Sequence, residues 1–213
     1  MNGNIKNIIF DLGGVLVGLD PSRCISAFRK IGCEDVAAYV AQHRTEDLFL
    51  DIELGRATTQ DFCREVRNMS HCAATDSEIV WAWNQLLTTV AAEKKARLKA
   101  LARRYRLFLL SNTNEMHWQK CRDELLASHK GSGEEYFERV FLSFEMHKKK
   151  PDADIFQQVL HDAGITAAET LFIDDSADNC RTAASLGLTV MHETSGSDWL
   201  SLLNGCRSEI GTY

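Results

Sequence analysis

The chain has 213 residues, of which 45% are hydrophobic and 25% charged, with a formal net charge of −6. This is the make-up of an ordinary globular protein with room for one large domain or a domain carrying an insertion, and without a basic stripe it argues against a nucleic-acid partner. No run of about 18 consecutive apolar residues occurs, which argues against a membrane span, and Met1 to Asn7 hold no apolar signal-peptide core. Seven cysteines, at 24, 33, 63, 72, 121, 180 and 206, show no C-x-x-C spacing. They read as reduced, mostly buried thiols, and cytoplasm is the expected compartment.

The first expected element is a strand, Asn7 to Phe10, which stops at a carboxylate, Asp11, and is followed by Gly13 and Gly14. The next roughly ninety residues carry spaced apolar positions that predict helices over 22–30, 45–54, 58–69 and 76–90. Gly55 closes the second of these, and Thr58-Thr59-Gln60-Asp61 opens the third with a hydroxyl cap before an acidic turn. Strands are then expected at 106–110, 139–143, 170–173 and 189–192, with helices at 115–128, 153–163 and 177–186 between them. The stretch His129 to Phe137, "HKGSGEEYF", reads as a loop. Near-continuous apolar strands alternating with helices imply an α/β fold, a doubly wound parallel sheet covered on both faces. An all-helical module is inserted after the first strand.

In open α/β sheets ligands bind beyond the carboxyl ends of the strands. The residues there are Asp11 after strand one, Ser111 and Asn112 after strand two, and Asp174 and Asp175 after strand four, with Lys150-Pro151 following strand three. Together they suit a phosphate monoester. One carboxylate can attack phosphorus, another can help hold Mg²⁺, and the hydroxyl, backbone N–H groups and ammonium can bind phosphoryl oxygens.

Four motifs carry a resemblance: "IIFDLGGVLV" (8–17), "FLLSNTN" (108–114), "KKKPDADIF" (148–156) and "TLFIDDSADN" (170–179). In order and spacing the chain resembles the haloacid dehalogenase superfamily, in the subgroup with a helical cap inserted after the first motif. The resemblance implies a Rossmann-like catalytic core over 1–17 and 93–213 and a cap over 18–92. It implies Asp11 as nucleophile, with Ser111 and Lys150 as the other catalytic residues. Phosphate binding falls to Ser111, Asn112 and Lys150. A Mg²⁺ ion is expected on the Asp11 carboxylate, the Gly13 carbonyl and Asp175, with Asp174 and Asn179 in support.

One position departs from the pattern. Phosphatases of this superfamily usually carry a second aspartate two residues after the nucleophile, where it acts as general acid and base. Here that place is Gly13. Losing such a group costs about 10²–10⁴ in rate. The expected activity is therefore Mg²⁺-dependent hydrolysis of a small phosphorylated metabolite, with a sugar 1-phosphate favoured because its leaving group is acidic. Two alternatives stand: a metal-free 2-haloacid dehalogenase, suggested by Gly13, and a phosphate-binding protein that has lost turnover. The dehalogenase reading leaves the acidic pair 174–175 without a purpose, since buried carboxylates grouped together call for a cation. Asp20 reads as a hinge residue, with replacement of the missing acid as the lesser reading. Trp81 and Trp83 read as cap packing, and Glu53 and Arg56 as residues of a cap turn that can face the substrate. The pattern does not reveal an oligomeric state.

Overall fold

The structure is a computed structural model and describes residues 5–42, 48–126 and 136–203. Five strands form one parallel sheet: β1 Asn7–Phe10, β2 Arg106–Ser111, β3 Arg139–Leu142, β4 Thr170–Asp174 and β5 Thr189–His192. Their spatial order is β3-β2-β1-β4-β5. The chain winds outward from β1 to β3 and returns to the other side of β1. The switch point lies between β1 and β4, where Phe10 pairs with Ile173.

Alternation along the strands explains the two layers of helices. Ile8, Phe10, Leu107, Leu109, Leu171 and Ile173 face one way and pack on Leu98, Leu101, Trp118 and Trp199. These come from α6 (Ala92–Ala102), α7 (Glu115–Leu126) and a closing 3-10 turn, Asp198–Leu203. Ile9, Phe108, Leu110 and Phe172 face the other way, onto Ile155, Phe156 and Val159 of α9 (Ala153–Ala163) and Ala183 of α10 (Ala177–Ser185). A one-turn helix, α8 (Ser143–Met146), leads from β3 toward α9.

Between β1 and α6 five helices gather around their own apolar cluster: α1 Pro21–Lys30, α2 Glu34–Ala41, α3 Leu48–Glu53, α4 Thr59–Ser70 and α5 Asp76–Asn84. Phe28, Phe49, Phe62 and Trp83 stand at its centre with ring centroids 4.9–6.4 Å apart. Helices α4 and α5 open with reciprocal capping boxes, Thr58 with Asp61 and Thr75 with Glu78. Each closes two otherwise orphaned donors at a helix start, a stabilisation of about 1 kcal/mol.

The inserted helical cap is joined to the sheet layer at a seam along α7. Met116 belongs to the cap cluster. His117 stacks on Trp83 at 4.6 Å and its Nε2 meets the Trp83 carbonyl at 3.2 Å. The Thr59 hydroxyl donates to Glu115, and the Lys120 ammonium donates to the Asn84 and Leu87 carbonyls.

Several expected boundaries move. The helix expected to run to residue 90 ends at Asn84, because the chain turns back to pair Leu87 with Leu19 and to bond Thr88 N–H to the Gly18 carbonyl. Ser143 opens α8 rather than ending β3. Helices α2 and α6 were not expected; neither has a side-chain cap. Trp83 is packed as expected. Trp81 is not: it is 43% exposed, with the Lys30 ammonium 5.4 Å above its ring. Residues 45–47, 127–128 and the loop at 129–135 lie outside the described residues.

Candidate active site

Asp11 stands one residue beyond β1, and its N–H donates to the Ile173 carbonyl. That bond extends the β1–β4 ladder by one step and brings Asp11 beside Asp174 at the end of β4. Lys150 reaches across from the loop after β3. Its Nζ lies 2.8 Å from Asp11 Oδ1, 2.6 Å from Asp174 Oδ2 and 3.0 Å from the Leu110 carbonyl. Lys150 is 2% exposed and Asp174 is fully buried. Burial alone would lower the lysine's pKa, but Asp11 and Asp174 outweigh it and the net shift is upward. Burial pushes the Asp11 carboxyl up to about 7, against the pull of Lys150 and with a further push from Asp174.

The neighbouring acids differ. Asp174 is saturated: Oδ1 accepts from the Ser176 N–H and Asn179 Nδ2, and Oδ2 accepts from Lys150 and Asn179 Nδ2. Asp175 is exposed, and burial of part of its surface, followed by the charge of Asp174, raises its pKa. Its carboxylate lies over Gly14, where a Cβ would overlap it, and Gly14 has φ of 73°. Glycine is required there on both counts. Asp11, Asp174 and Asp175 offer oxygens within 4.8 Å of one another.

The Gly13 carbonyl was expected as a further oxygen. The bridge between Gly13 and Val17 is made by the Gly14 N–H and the Val17 N–H, which leaves the Gly13 oxygen out of it. An all-oxygen set with a glycine-cleared cradle fits Mg²⁺. Lys150 bridges Asp11 to Asp174, and Asp175 takes no part in that bridge.

Ser111 and Asn112 end β2 on the same rim. Ser111 is buried. The Asn112 side chain, expected to bind phosphate, is engaged with the Lys150 backbone: Nδ2 donates to the carbonyl at 2.8 Å and Oδ1 accepts from the N–H at 2.9 Å. It clasps the lysine-bearing loop to β2, so its side-chain amide is spent on position. Asn179, expected in support of the metal, donates to both oxygens of Asp174. Asp20 accepts from the Arg23 N–H and caps α1. The side chain of Leu19 takes the space beside Gly13. A Cβ on Gly13 would meet Leu19 at 3.4 Å, and Leu19 is 47% exposed.

Ser143 and Glu193 were not singled out in the sequence. Ser143 both donates to the Thr113 carbonyl and accepts from its N–H, which pins the loop after β2. Glu193 is buried and accepts from the N–H groups of Ser195, Ser197, Asp198 and Trp199. It folds the turn that brings Trp199 Nε1 to the Val15 carbonyl, under the motif-one loop. In sequence it is one acid among many; a cluster of small residues just after it is the faint cue. On the cap side, Gly55, with φ of 65°, sits so close to the Phe144 carbonyl that a Cβ would overlap it. His147 Nδ1 meets the Leu54 carbonyl at 2.8 Å. The turn carrying Glu53 thus rests on the segment that leads to Lys150. Burial raises the Glu53 pKa, with Lys149 opposing.

A model of haloacid dehalogenase-like hydrolases matches residues 5–187. The chain belongs to this family. Among curated relatives it is 30% identical over 197 residues to a D-ribitol-5-phosphate phosphatase of Bacteroides thetaiotaomicron, covering 92% of this chain and 95% of that one. A solved haloacid dehalogenase family enzyme from the same species, in complex with magnesium and inorganic phosphate, is 39% identical, with a TM-score of 0.86 and coverage of 93% and 99%. The L-2-haloacid dehalogenase of Xanthobacter autotrophicus shares the fold at a TM-score of 0.60, with 20% identity and coverage of 87% and 76%. The haloacid dehalogenase fold is thus common to both chemistries, and the greater likeness is to the magnesium- and phosphate-bound enzyme.

Proposed function

We propose that this protein is a Mg²⁺-dependent phosphatase of small phosphorylated metabolites, with sugar and polyol phosphates as the substrate class. The observation that carries this reading is the pairing of two sets on one rim. Asp11 is gripped by the buried Lys150, and Asp175 stands free beside it over a glycine cradle. A halide-releasing enzyme has no use for the second set, whereas a phosphatase needs both.

In this reading the catalytic core spans 1–17 and 93–213, and the cap 18–92. The Asp11 carboxylate attacks phosphorus and the bond to the ester oxygen breaks, leaving an aspartyl phosphate that water hydrolyses and an alkoxide that takes its proton from water. Lys150 holds the Asp11 carboxylate in line and offsets charge on the phosphoryl oxygens. Asp174 and Asn179 fix the lysine. Ser111 donates to a phosphoryl oxygen, and the clasp made by Asn112 sets the lysine's approach. The carboxylates of Asp11 and Asp175 and the Gly13 carbonyl would hold Mg²⁺, which supplies charge neutralisation at the phosphoryl group. The cap turn at Gly55 brings Glu53 and Arg56 toward the substrate's organic part.

With glycine at 13 and Leu19 beside it, no acid at that position protonates the departing oxygen. Two substrate types then differ sharply. An anomeric phosphate leaves as a weakly basic alkoxide. A polyol phosphate, such as that named for the curated relative, leaves as a strongly basic one and needs a proton from elsewhere.

The test is a series of phosphate esters of graded leaving-group pKa, from aryl and hexose 1-phosphates to D-ribitol 5-phosphate, with saturating Mg²⁺ and with a chelator. Phosphate release should require the metal, and kcat/KM should rise as leaving-group pKa falls. A flat series would place a general acid elsewhere in the site. Halide release from 2-haloacids without metal, and no phosphate release, would overturn the assignment.

A further inference from the structure

We propose that Cys33 and Cys72 form a thiol–disulfide couple that cross-links the cap. Cys33 precedes α2 and is fully buried; Cys72 follows His71, which ends α4 in the left-handed region at φ of 47°, and is partly exposed. Their sulfur atoms are 2.7 Å apart. Two unbonded sulfurs do not rest so close for the sake of a weak S–H contact. Cys33 also points at the Ile31 carbonyl at 3.9 Å, but among the described residues no second sulfur meets the following three thiols. Cys24, Cys63 and Cys180 each point at a backbone carbonyl, of Trp83, Asp76 and Asp174, at 3.6–3.9 Å.

The surroundings suit exchange with a small-molecule disulfide. The Arg67 guanidinium, one α4 turn and more before Cys72, is tied to Asp76 and the Ala74 carbonyl and acts electrostatically on both sulfurs. Burial, and then the contact with Cys72, pushes Cys33 up to about 12, and Glu78 adds to that. Cys33 is buried and Cys72 is partly exposed, so Cys72 is the point of attack. Its thiolate attacks one sulfur of glutathione disulfide, forming a mixed disulfide and expelling one glutathione thiolate. Cys33 gives its proton to that thiolate or to water, and its sulfur attacks the Cys72 sulfur and expels the second glutathione. Two protein thiols are oxidised to one disulfide, and one glutathione disulfide is reduced to two thiols.

The bond would join positions 39 residues apart. It ties the corner between α1 and α2 to the end of α4, beside the existing bond from the Val36 N–H to the Ser70 hydroxyl. The loop it closes includes the turn at Gly55 that rests on the rim. Oxidation thus stiffens the scaffold of that turn without touching Asp11, Lys150 or Asp175. The inference stands independently of the phosphatase reading.

The experiment uses the full chain, reduced with dithiothreitol, desalted, and incubated with glutathione disulfide. Free thiols are then alkylated and the protein is digested without reduction. The expected result is one dominant cross-linked peptide pair, Cys33 with Cys72, reversed by dithiothreitol. The Tm should rise by ~5–10 °C, the usual range for closing a loop of this size. Cys72→Ser should fold, form no cross-link and show no rise. A lasting glutathione adduct on Cys72, a link to Cys63, unreacted thiols, or a cross-link with no change in Tm would each overturn the proposal.

Discussion

The rim of the sheet and the helical cap are held together by different physics. At the rim a lysine at 2% exposure and an aspartate at 0% are tolerated because Lys150, Asp11, Asp174, Asn179 and the Ser176 N–H satisfy one another. In the cap the centre is four aromatic rings, and polar order is confined to helix ends such as the Thr58–Asp61 box. The contrast teaches where function is exposed to mutation. The rim fails by losing a partner for a buried charge, which is abrupt; the cap fails by losing contact area, which is graded.

The hardest test of the rim is Asp11→Asn. The change is nearly isosteric, so the fold should persist while turnover drops by at least ~10³-fold, the scale of removing a nucleophile. Retained activity above a few per cent would remove Asp11 from the role.

The second test separates two adjacent acids. Asp174→Asn leaves the Lys150 ammonium buried with Asp11 alone, and urea denaturation should show a loss of about 3 kcal/mol. Asp175→Asn should change stability by no more than about 0.5 kcal/mol, because the residue is exposed. Its effect should appear as weaker Mg²⁺ activation. Equal destabilisation by the two variants would erase the distinction between a lysine-holding acid and a metal-facing one.

The seam between the regions is sharpened by pH. Burial depresses the pKa of His117 to about 4, the Trp83 carbonyl opposing and Lys120 adding to the drop. In the unfolded chain the same imidazole takes a proton near pH 6.5. Between those values the unfolded state binds more protons, so stability falls as pH drops and the loss is complete below about 4. From pH 7 to pH 5 the His117 share should be about 2 kcal/mol. It is read as the difference in pH slope between the wild type and His117→Gln. Parallel slopes would mean that the cap is not sealed onto α7 through a neutral histidine.

The smallest effect tests the cap. Thr58→Ala breaks a capping box and should cost about 1 kcal/mol in thermal or urea unfolding. A much larger cost would show that the turn before α4 bears on the rim as well as on its own helix.

Much of this was legible because it is local. All five strands lie within a residue of their expected bounds, since short apolar runs covered on both faces leave a plain trace. The strand-end residues marked the rim because a carboxylate after a buried strand is costly without a partner. The helices that escaped notice, α2, α6 and the one-turn α8, lack a side-chain cap, and the helix expected over 76–90 is cut short by a contact with Leu19 that no local pattern records. Ser143 and Glu193 escaped because a buried polar residue is written like an exposed one until its partners arrive.

By itself the sequence determined the alternation of strands and helices, the inserted helical segment and the set of groups at the strand ends, because each follows from periodicity and from the cost of burying charge. Tertiary structure decided how those groups are shared. The order β3-β2-β1-β4-β5 sets Asp11 against Asp174, and only that adjacency lets one lysine hold both. The Asn112 side chain became the clasp on the lysine loop. Leu19 came to rest beside Gly13, and Cys33 against Cys72. Each is a meeting of residues distant enough in the chain, or turned enough by the fold, that only the closed backbone brings their side chains within reach.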